Sequence, residues 1–483
     1  MGTKLATLVA ALVGLGATQL AWAADMPVKA PITKAPAAVA PAWTGFYVNG
    51  GFGYGMWTAD TTTIDPATGL CNLCVTQTQG GKGWLGVVGL GYDYQFAQSF
   101  VAGVFGDFNF GDIKGTIQDQ DPFFAGDTKE RSAWAVGARL GWLVTPDLLA
   151  YVNGGYTSAR FSGATMVNTH GNVPPTGFST PGATFHGWFI GAGTESTVPS
   201  ILGLQLGPGW FWRNEYRYAS YRNKTLSDTT ATGVADDSIN FKPTVQTITT
   251  EIVYKLNTGG PVYQAPAPVA PINWTGFYVN GGIGYGFWAA DTTTFDNTTG
   301  ICVLCVVQKQ GGKGWLGVAG AGFDYQLTPK IVAGVFGDYD LSSLKGTIQD
   351  QEPFFAGDIK QKSAWALGGR AGWLITPQLL TYVNGGFTSA RFSGASMVNT
   401  HGNQPPTGFS TPATTFDGWF LGSGVEAALT PNLFWRTEYR FARYSNEALP
   451  DTNAAGAAAQ SINFKPTVQT ATTQLVYKFG WLR

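Results

Sequence analysis

Four cysteines form two short motifs, Cys71-Asn-Leu-Cys74 and Cys302-Val-Leu-Cys305. This spacing could support metal binding, redox chemistry or a small disulfide. A zinc site would have to draw its ligands from both distant motifs, and a thioredoxin-like centre would need the start of a helix, which neither motif indicates. In an oxidising compartment the favoured interpretation is a disulfide within each of two long loops, and we predict no metal site.

Acids and bases alternate in a second group of residues: Arg213, Glu215, Arg217, Arg436, Glu438 and Arg440. Acids placed beside bases can exchange protons with a substrate. However, the chain has only three histidines, Asp417 stands at the position equivalent to His186, and no Ser/His/Asp set stands out. We therefore favour a salt-bridge network over an active site, and we predict that the protein is not an enzyme.

Glycine-rich stretches match nucleotide-binding motifs only in part. "GVVGLG" and "GGIGYG" lack the strand–helix–strand context of a dinucleotide site, and "QGGKG" at 79–83 lacks the Ser/Thr and the earlier glycine of a phosphate-binding loop. We interpret the first two as strand glycines and the third as a loop, so no cofactor is expected. The formal net charge of −1 also gives no indication of nucleic-acid binding.

The elements that carry these residues are predicted from the stretch "WTGFYVNGGFGYGMW" at 43–57. Strand side chains alternate between two faces, which puts Phe46, Val48, Phe52 and Met56 on one side and Asn49 and Gly51 on the other. A water-facing strand would normally carry charges rather than glycines. A bulky face against lipid and a small face against a narrow lumen are typical of a closed membrane β-barrel.

Composition and targeting signals support this interpretation. Only 12% of residues are charged, 14% are aromatic, and there are 66 glycines. The apolar run after Lys4 ends in Ala21-Trp22-Ala23, which predicts a signal peptide over 1–23. No later run reaches the roughly 20 apolar residues that a spanning helix requires. A membrane protein of this kind must span with strands that close into a barrel, and export points to the outer membrane.

The chain repeats itself, since the stretch that begins at Trp43 returns at Trp274, an offset of 274 − 43 = 231 residues. We expect a Pro/Ala-rich linker over 24–42, a first β-barrel repeat over 43–256, a Pro-rich linker over 257–273 and a second repeat over 274–483. Each repeat contains eight strand-like segments, joined alternately by short turns such as "TPD" at 145–147 and by long polar loops. In the first repeat the second segment is "GWLGVVGLGYDYQF" from Gly83 and the fifth is "LLAYVNGGYTSARF" from Leu148.

Charged residues of these strands fall on the small face. Facing lipid, each would cost on the order of 2–4 kcal/mol near the midplane, so the lumen is the preferred location. The predicted interior network consists of Asp93, Asp107, Arg139, Arg213, Glu215, Arg217, Glu251, Arg370, Arg436, Glu438 and Arg440.

The start "WTGFYV", the "LAYVNGGYT" and "GWFIGAGTE" strands and the ending Val476-Tyr477-Lys478-Phe479 carry a resemblance. Each repeat resembles the alphaproteobacterial outer-membrane surface proteins, small "porin family" barrels similar to the OmpA membrane domain. The resemblance implies an integral surface protein without catalytic residues. Two departures are the duplication and the continuation of the chain past Phe479.

The fold class is therefore all-β, with two tandem eight-stranded antiparallel barrels favoured over one sixteen-stranded barrel. The linker prolines and the inward glycines suit two narrow barrels. The predicted function is a structural or surface-interaction role in the envelope. The alternative is a passive diffusion porin if one large barrel forms, with an outer-membrane barrel enzyme less favoured. Expected partners are outer-membrane lipid and lipopolysaccharide, the barrel assembly machinery and an unidentified host or surface ligand, with no nucleic acid.

Overall fold

The computed structural model describes residues 43–119, 124–169, 175–198, 200–201, 204–206, 208–257, 272–350, 355–400 and 406–479. The predicted signal peptide, the first linker and nearly all of the second linker lie outside these residues. Within the described residues every regular element is a β-strand. No helix there has the length and apolarity to cross a membrane.

The described part of the first repeat contains thirteen strands. Their bounds are β1 Gly45–Ile64, β2 Cys71–Ala97, β3 Phe100–Asp119, β4 Phe124–Thr145, β5 Leu148–Phe161, β6 Ala164–Asn168, β7 Pro175–Thr180, β8 Ala183–Thr197, β9 Ser200–Ile201, β10 Leu204–Gln205, β11 Trp210–Tyr221, β12 Lys224–Thr230 and β13 Ala235–Asn257. The small β9/β10 hairpin occupies an insertion that the second repeat lacks, so beyond it the offset between equivalent residues falls from 231 to 435 − 212 = 223.

The second repeat follows the same order without that hairpin. Its strands are β14 Gly276–Asp296, β15 Cys302–Gln326, β16 Ile331–Asp350, β17 Phe355–Thr376, β18 Leu379–Phe392, β19 Ala395–Asn399, β20 Pro406–Thr411, β21 Thr414–Ala428, β22 Leu433–Tyr444, β23 Glu447–Thr452 and β24 Ala458–Lys478.

Each repeat closes on itself through antiparallel pairing. In the first repeat the ring runs β1, β2, β3, β4, β5, β8, β11 and β13, and β1 pairs with β13 from Gly45↔Asn257 to Ile64↔Ser238. In the second repeat β14 pairs with β24 in the same manner. The architecture is thus two tandem eight-stranded barrels, because the first strand of each repeat finds the last strand of its own repeat rather than that of the other.

The strands are longer than the sequence pattern predicts. The fifth predicted segment coincides with β5, but β2 begins twelve residues before its predicted start at Gly83. The prediction that "QGGKG" at 79–83 forms a loop is therefore wrong, because these residues lie within β2. Thr-rich and Gln-rich segments continue the strands, so the connection from β1 to β2 is only the turn at 65–70. In this turn the Asp65 carboxylate accepts a hydrogen bond from the Ala67 N–H.

Two belts of exposed aromatic side chains surround the first barrel. The belt on the side of the long connections, which we call the loop end, contains Trp84, Phe110, Trp134, Tyr156 and Trp188. The belt near the short turns, which we call the turn end, contains Phe46, Phe96, Phe100, Trp142 and Trp212. Exposed aliphatic side chains such as Val48 and Leu140 fill the band between them. This pattern marks the zone that faces lipid.

The interior of each barrel is packed in layers. Toward the loop end of the first barrel, the rings of Trp57, Phe161, Phe185 and Phe241 contact one another with centroids 5.4–5.8 Å apart. The inward glycines leave room for these side chains, since a Cβ added to Gly91 would lie 2.5 Å from the Tyr47 ring. The interior thus holds an aromatic layer toward the loop end and a polar layer toward the turn end. The polar layer is the candidate site.

Candidate functional site

Arg139 of β4 lies at the centre of a buried ion cluster near the turn end of the first barrel. Its Nε donates to Asp93 Oδ1 at 2.8 Å, Nη2 contacts Asp93 Oδ2, and Nη1 donates to Glu195 Oε2 at 2.9 Å. Lys255 Nζ reaches the same two carboxylates at 2.6 Å and 2.8 Å. Arg213 adds a second guanidinium on Glu195, with Nη2 at 2.8 Å from Oε2. Alternation along β2, β4, β8, β11 and β13 aims all of these side chains inward.

A second tier lies above this cluster, toward the loop end. Arg217 binds both oxygens of Asp107, at 3.0 Å and 2.7 Å, and also contacts Glu215 at 2.7 Å. The other Glu215 oxygen accepts hydrogen bonds from Tyr151 and Asn153, both at 2.8 Å. Bidentate guanidinium–carboxylate pairs of this kind fix orientation as well as charge.

Glu251 joins the two tiers. Its Oε2 accepts a hydrogen bond from Asn49 Nδ2 at 2.7 Å and lies 3.5 Å from Arg213 Nη1. Aromatic faces complete the coordination of the cations, since the guanidinium of Arg139 lies 4.9 Å from the Tyr47 and Tyr151 ring centroids. At the turn end, Lys255 Nζ lies 4.8 Å from the Trp43 ring. The cations are therefore held by carboxylates and π-faces on several sides.

The second barrel reproduces this arrangement. Arg370 binds Asp324 and Glu426, Arg436 binds Glu426, and Arg440 binds Asp338 at 2.9 Å and 2.6 Å. Two positions in or beside the ion cluster differ. Gln474 replaces Glu251, whereas Asp340 replaces Asn109, so one acid of the cluster has moved to another position.

All eleven predicted network residues lie on the inner face of their barrel and engage charged or polar partners. Pattern reasoning missed six further members: Glu195, Lys255, Asp324, Asp338, Glu426 and Lys478. Strand alternation applied to β8 and β13 would have located Glu195 and Lys255. The repeat offset, applied to Asp93 and Asp107, would have located Asp324 and Asp338.

This arrangement holds charge in place and offers little room for a ligand. A cavity beside Asp107 and Arg217 is lined by the network itself and has a volume of only about 10 Å³. A second cavity, of about 20 Å³, lies between Asp340 and Tyr444 in the other barrel. Among the described residues there is no cluster of His, Cys, Asp and Glu suited to a metal ion.

Two separate stretches of the chain, 9–255 and 266–479, match the family model described as "Outer membrane protein beta-barrel domain". Each stretch spans one closed ring of strands. The chain belongs to this family. Its two matches agree with a tandem duplication of a complete barrel, and family membership places the protein in the outer membrane.

Relatives of this family include surface proteins of Brucella. The 31 kDa outer-membrane immunogenic protein of Brucella melitensis is 27% identical over 217 residues, which cover 44% of this chain and 87% of the relative. The 25 kDa outer-membrane immunogenic protein of Brucella canis is 30% identical over 188 residues, which cover 39% and 74%. The solved structure of Ail from Yersinia pestis covers 42% of this chain and 99% of its own at 14% identity, with a TM-score of 0.23 that supports no inference.

The predicted cysteine motifs lie at the loop end of this outer-membrane barrel. Cys302 and Cys305 form a disulfide, and Cys71 is likewise disulfide-bonded. The side chain of Cys74 lies outside the described residues. Their assignment to a loop is wrong, because Cys71 and Cys302 are the first residues of β2 and β15. Each motif therefore begins a strand just after the tight turn.

Proposed function

We propose that the protein is a closed, non-enzymatic surface barrel pair with a structural or surface-interaction role, its loop ends facing outside the cell. The observation that carries this proposal is the filled lumen, where a buried ion layer and an aromatic layer lie in series. An eight-stranded barrel leaves an interior that side chains just fill. Passive diffusion, which would need a wide lumen, is accordingly not favoured.

Planar-bilayer recording tests the closed state. Protein whose folding is verified by altered gel mobility before and after boiling should show little or no steady conductance. A variant carrying Trp57→Ala and Phe241→Ala should remain silent, because the ion layer around Arg139 still blocks the lumen. Large, stable openings of general-porin size in the unmodified protein would contradict the proposal.

The absence of enzymatic activity is a separate part of this proposal. It is supported by the engagement of Glu215 and Arg217, the residues best placed for acid–base chemistry, in fixed hydrogen bonds inside the barrel. Incubation of the folded protein with purified outer-membrane lipids should leave their masses unchanged. A lipid product that disappears in the Glu215→Gln variant, while the variant still folds, would overturn this part of the proposal.

We further propose that outer-leaflet lipid is a partner, and that phosphate groups are the chemistry recognised. Exposed Arg131 and Arg160 lie on the neighbouring strands β4 and β5, just beyond Trp134 and Tyr156 on the loop side. The second barrel places Lys362 and Arg391 at the equivalent positions. Bases at this height can reach lipid phosphates while their stems lie along the aromatic belt.

Retention of purified lipopolysaccharide by the detergent-solubilised protein tests this partner. Replacing Arg131, Arg160, Lys362 and Arg391 by Ala should lower retention several-fold, whereas Lys114→Ala should not, since Lys114 is already paired with Asp127 at 2.6 Å. Dephosphorylated lipopolysaccharide should bind weakly to the unmodified protein and to the four-fold variant. Equal retention of lipopolysaccharide by the unmodified protein and both variants would exclude these four bases as the binding site. The barrel assembly machinery and a surface ligand remain proposed partners on the basis of the sequence.

A further inference from the structure

The two barrels touch through contacts that come in equivalent pairs. Lys82 Nζ of the first barrel lies 3.3 Å from Asp291 Oδ2 of the second, and Lys313 Nζ of the second lies 3.5 Å from Asp60 Oδ2 of the first. Lys313 and Asp291 are the repeat equivalents of Lys82 and Asp60. Each barrel thus supplies one lysine and one aspartate to the two ion pairs.

Hydrogen bonds between the barrels follow the same rule. The Thr78 N–H donates to Thr347 Oγ1 at 2.7 Å, and the Lys309 N–H donates to Thr116 Oγ1 at 2.7 Å. Two side-chain bonds repeat the pattern: Gln349 Nε2 to Gln77 Oε1, and Gln118 Nε2 to Gln308 Oε1, each at 2.5 Å. We call this surface, formed by Asp60, 77–82, Thr116 and Gln118 with their equivalents, the docking face.

The backbones meet at the centre of the docking face. Gln79 pairs with its own equivalent Gln310 across the two barrels, the position that a local two-fold axis requires. A Cβ added to Gly80 would lie 2.9 Å from the Gln310 carbonyl oxygen, and one added to Gly311 would lie 2.9 Å from the Gln79 carbonyl oxygen. The "QGGKG" segments therefore permit a close approach that side chains would prevent.

Nearer the aromatic belt the contact becomes apolar. Tyr54 packs on Phe441 with ring centroids 5.6 Å apart, and Tyr285 packs on Tyr218 at the same distance. Met56 continues the lipid-facing side of β1, yet it is only 1% exposed because it is covered by the other barrel. Polar and apolar parts of the interface both obey the pseudo-two-fold relation.

We propose that the docking face is a self-recognition surface, whose partner is a second barrel of the same kind, and that it holds the two barrels together without the linker. A surface related to its partner by a two-fold axis is complementary to itself. The linker leaves β13 and enters β14 at the turn end, whereas the contacts lie near the loop end. A chain of that length, reaching roughly 3.3 Å per residue, allows many other arrangements, so it does not impose this one.

Cleavage of the linker in the folded full-length protein tests the proposal. A protease site is inserted within 258–271, the protein is folded and cleaved, and the first half is captured by an affinity tag in mild detergent. We expect the second half to be retained. Release of the second half from the unmodified docking face would overturn the proposal.

Charge reversal provides the specificity arm. Lys82→Asp with Lys313→Asp places acids against Asp60 and Asp291 and should release the cleaved half. Adding Asp60→Lys and Asp291→Lys to this variant should restore retention. If the two lysine substitutions leave the second half bound, or if adding the two aspartate substitutions does not restore binding, the docking face does not hold the barrels together.

A steric arm keeps all charges in place. Gly80→Val with Gly311→Val should separate the cleaved halves by forcing the backbones apart. The matched control is Gly50→Val with Gly281→Val on the lipid side, where the nearest atoms to an added Cβ lie 3.9 Å and 3.8 Å away. Altered gel mobility before and after boiling confirms folding of both variants. Equal retention in both would contradict the proposal.

Discussion

At the residue scale, the two barrels provide natural substitutions in nearly identical surroundings. Gln474 occupies the position of Glu251 and still accepts a hydrogen bond from the equivalent asparagine, Asn280, at 2.8 Å. Glu195 and Glu426, by contrast, are both acids that receive two arginines and one lysine. A carboxylate is thus dispensable at the position of Glu251. At the position of Glu195, by contrast, three cations surround the carboxylate.

This difference yields the first prediction. Glu251→Gln should change the free energy of unfolding little, whereas Glu195→Gln should destabilise the first barrel by about 3–5 kcal/mol, because it leaves buried cations without their counter-charge. Urea unfolding in detergent, followed by gel mobility, measures both. Glu426→Gln is the matched variant in the second barrel, and it should cost a similar amount. Equal effects of Glu251→Gln and Glu195→Gln would refute this distinction.

A second prediction concerns Glu130, which lies inside the first barrel on the loop side of Trp134. Burial raises the pKa of Glu130 to about 8 from 4.5. Between these values the folded state holds a proton that the unfolded chain releases, so stability falls as the pH rises from about 4.5 to about 8. Glu130→Gln should remove this fall.

The second barrel provides the control for this prediction, because Gln361 stands at the equivalent position. Gln361→Glu should introduce the same pH dependence there. Urea midpoints at pH 5 and pH 9 are the measurement. The urea midpoints of the unmodified protein and of Glu130→Gln should agree at pH 5 and diverge at pH 9. The same difference between the two midpoints at both pH values would show that Glu130 does not cause the pH dependence.

At the element scale, each long strand has a lipid-facing part and a polar extension beyond it. On β4 the outward residues change from Asp127, Lys129 and Arg131 to Trp134 and then to apolar side chains. This change marks where the membrane zone begins. The extension carries the docking face and the basic pair near Trp134, so these surface features are built on regular strands.

The lipid-facing part of β4 gives a third prediction. Ala138 is exposed between Trp134 and Trp142, near the middle of the apolar band. Ala138→Arg should destabilise the barrel by roughly 2–4 kcal/mol, because a charge at that depth loses its hydration. Ala138→Leu should be tolerated. Unfolding in lipid vesicles measures the effect, and an equal stability of the two variants would place Ala138 outside the lipid zone.

Strand positions in the lipid zone were predictable from the sequence because alternation of bulky and small residues is a local signal. The inward location of Arg139 and Arg213 followed from the same alternation. The strand extensions were not predictable, because segments such as "TADTTTI" are polar on both faces and look the same in a loop. Met56 was placed against lipid for a related reason, since an outward apolar side chain suits lipid and a neighbouring barrel equally.

At the scale of the whole molecule, closure within each repeat makes each barrel a complete folding unit. A fourth prediction is that residues 43–256 alone refold in detergent into a protease-resistant barrel with altered gel mobility. Because their docking face then lacks its intramolecular partner, we expect this fragment to form dimers and the full-length chain to remain monomeric. Light scattering with detergent correction distinguishes the two states.

Two outcomes of that experiment bear on different conclusions. A fragment that fails to fold would contradict the closed eight-stranded ring. A fragment that folds but stays monomeric at all concentrations would contradict self-recognition and leave the ring intact. Lys82→Asp in the fragment should abolish dimers without affecting folding, which separates specific pairing from aggregation.

The two barrels touch near their loop ends, so a docking face that holds them together would also hold their loop-end connections at a set distance. Two connecting sequences, at 118–127 and 170–181, recur with one change each at 349–358 and 401–412. A polymeric surface bound through them at one barrel would therefore meet the other barrel at a high effective concentration. Binding would then gain avidity without tighter individual contacts, and a flexible tether alone could not set such a spacing. Duplication of a closed barrel would thereby provide bivalency within a single chain.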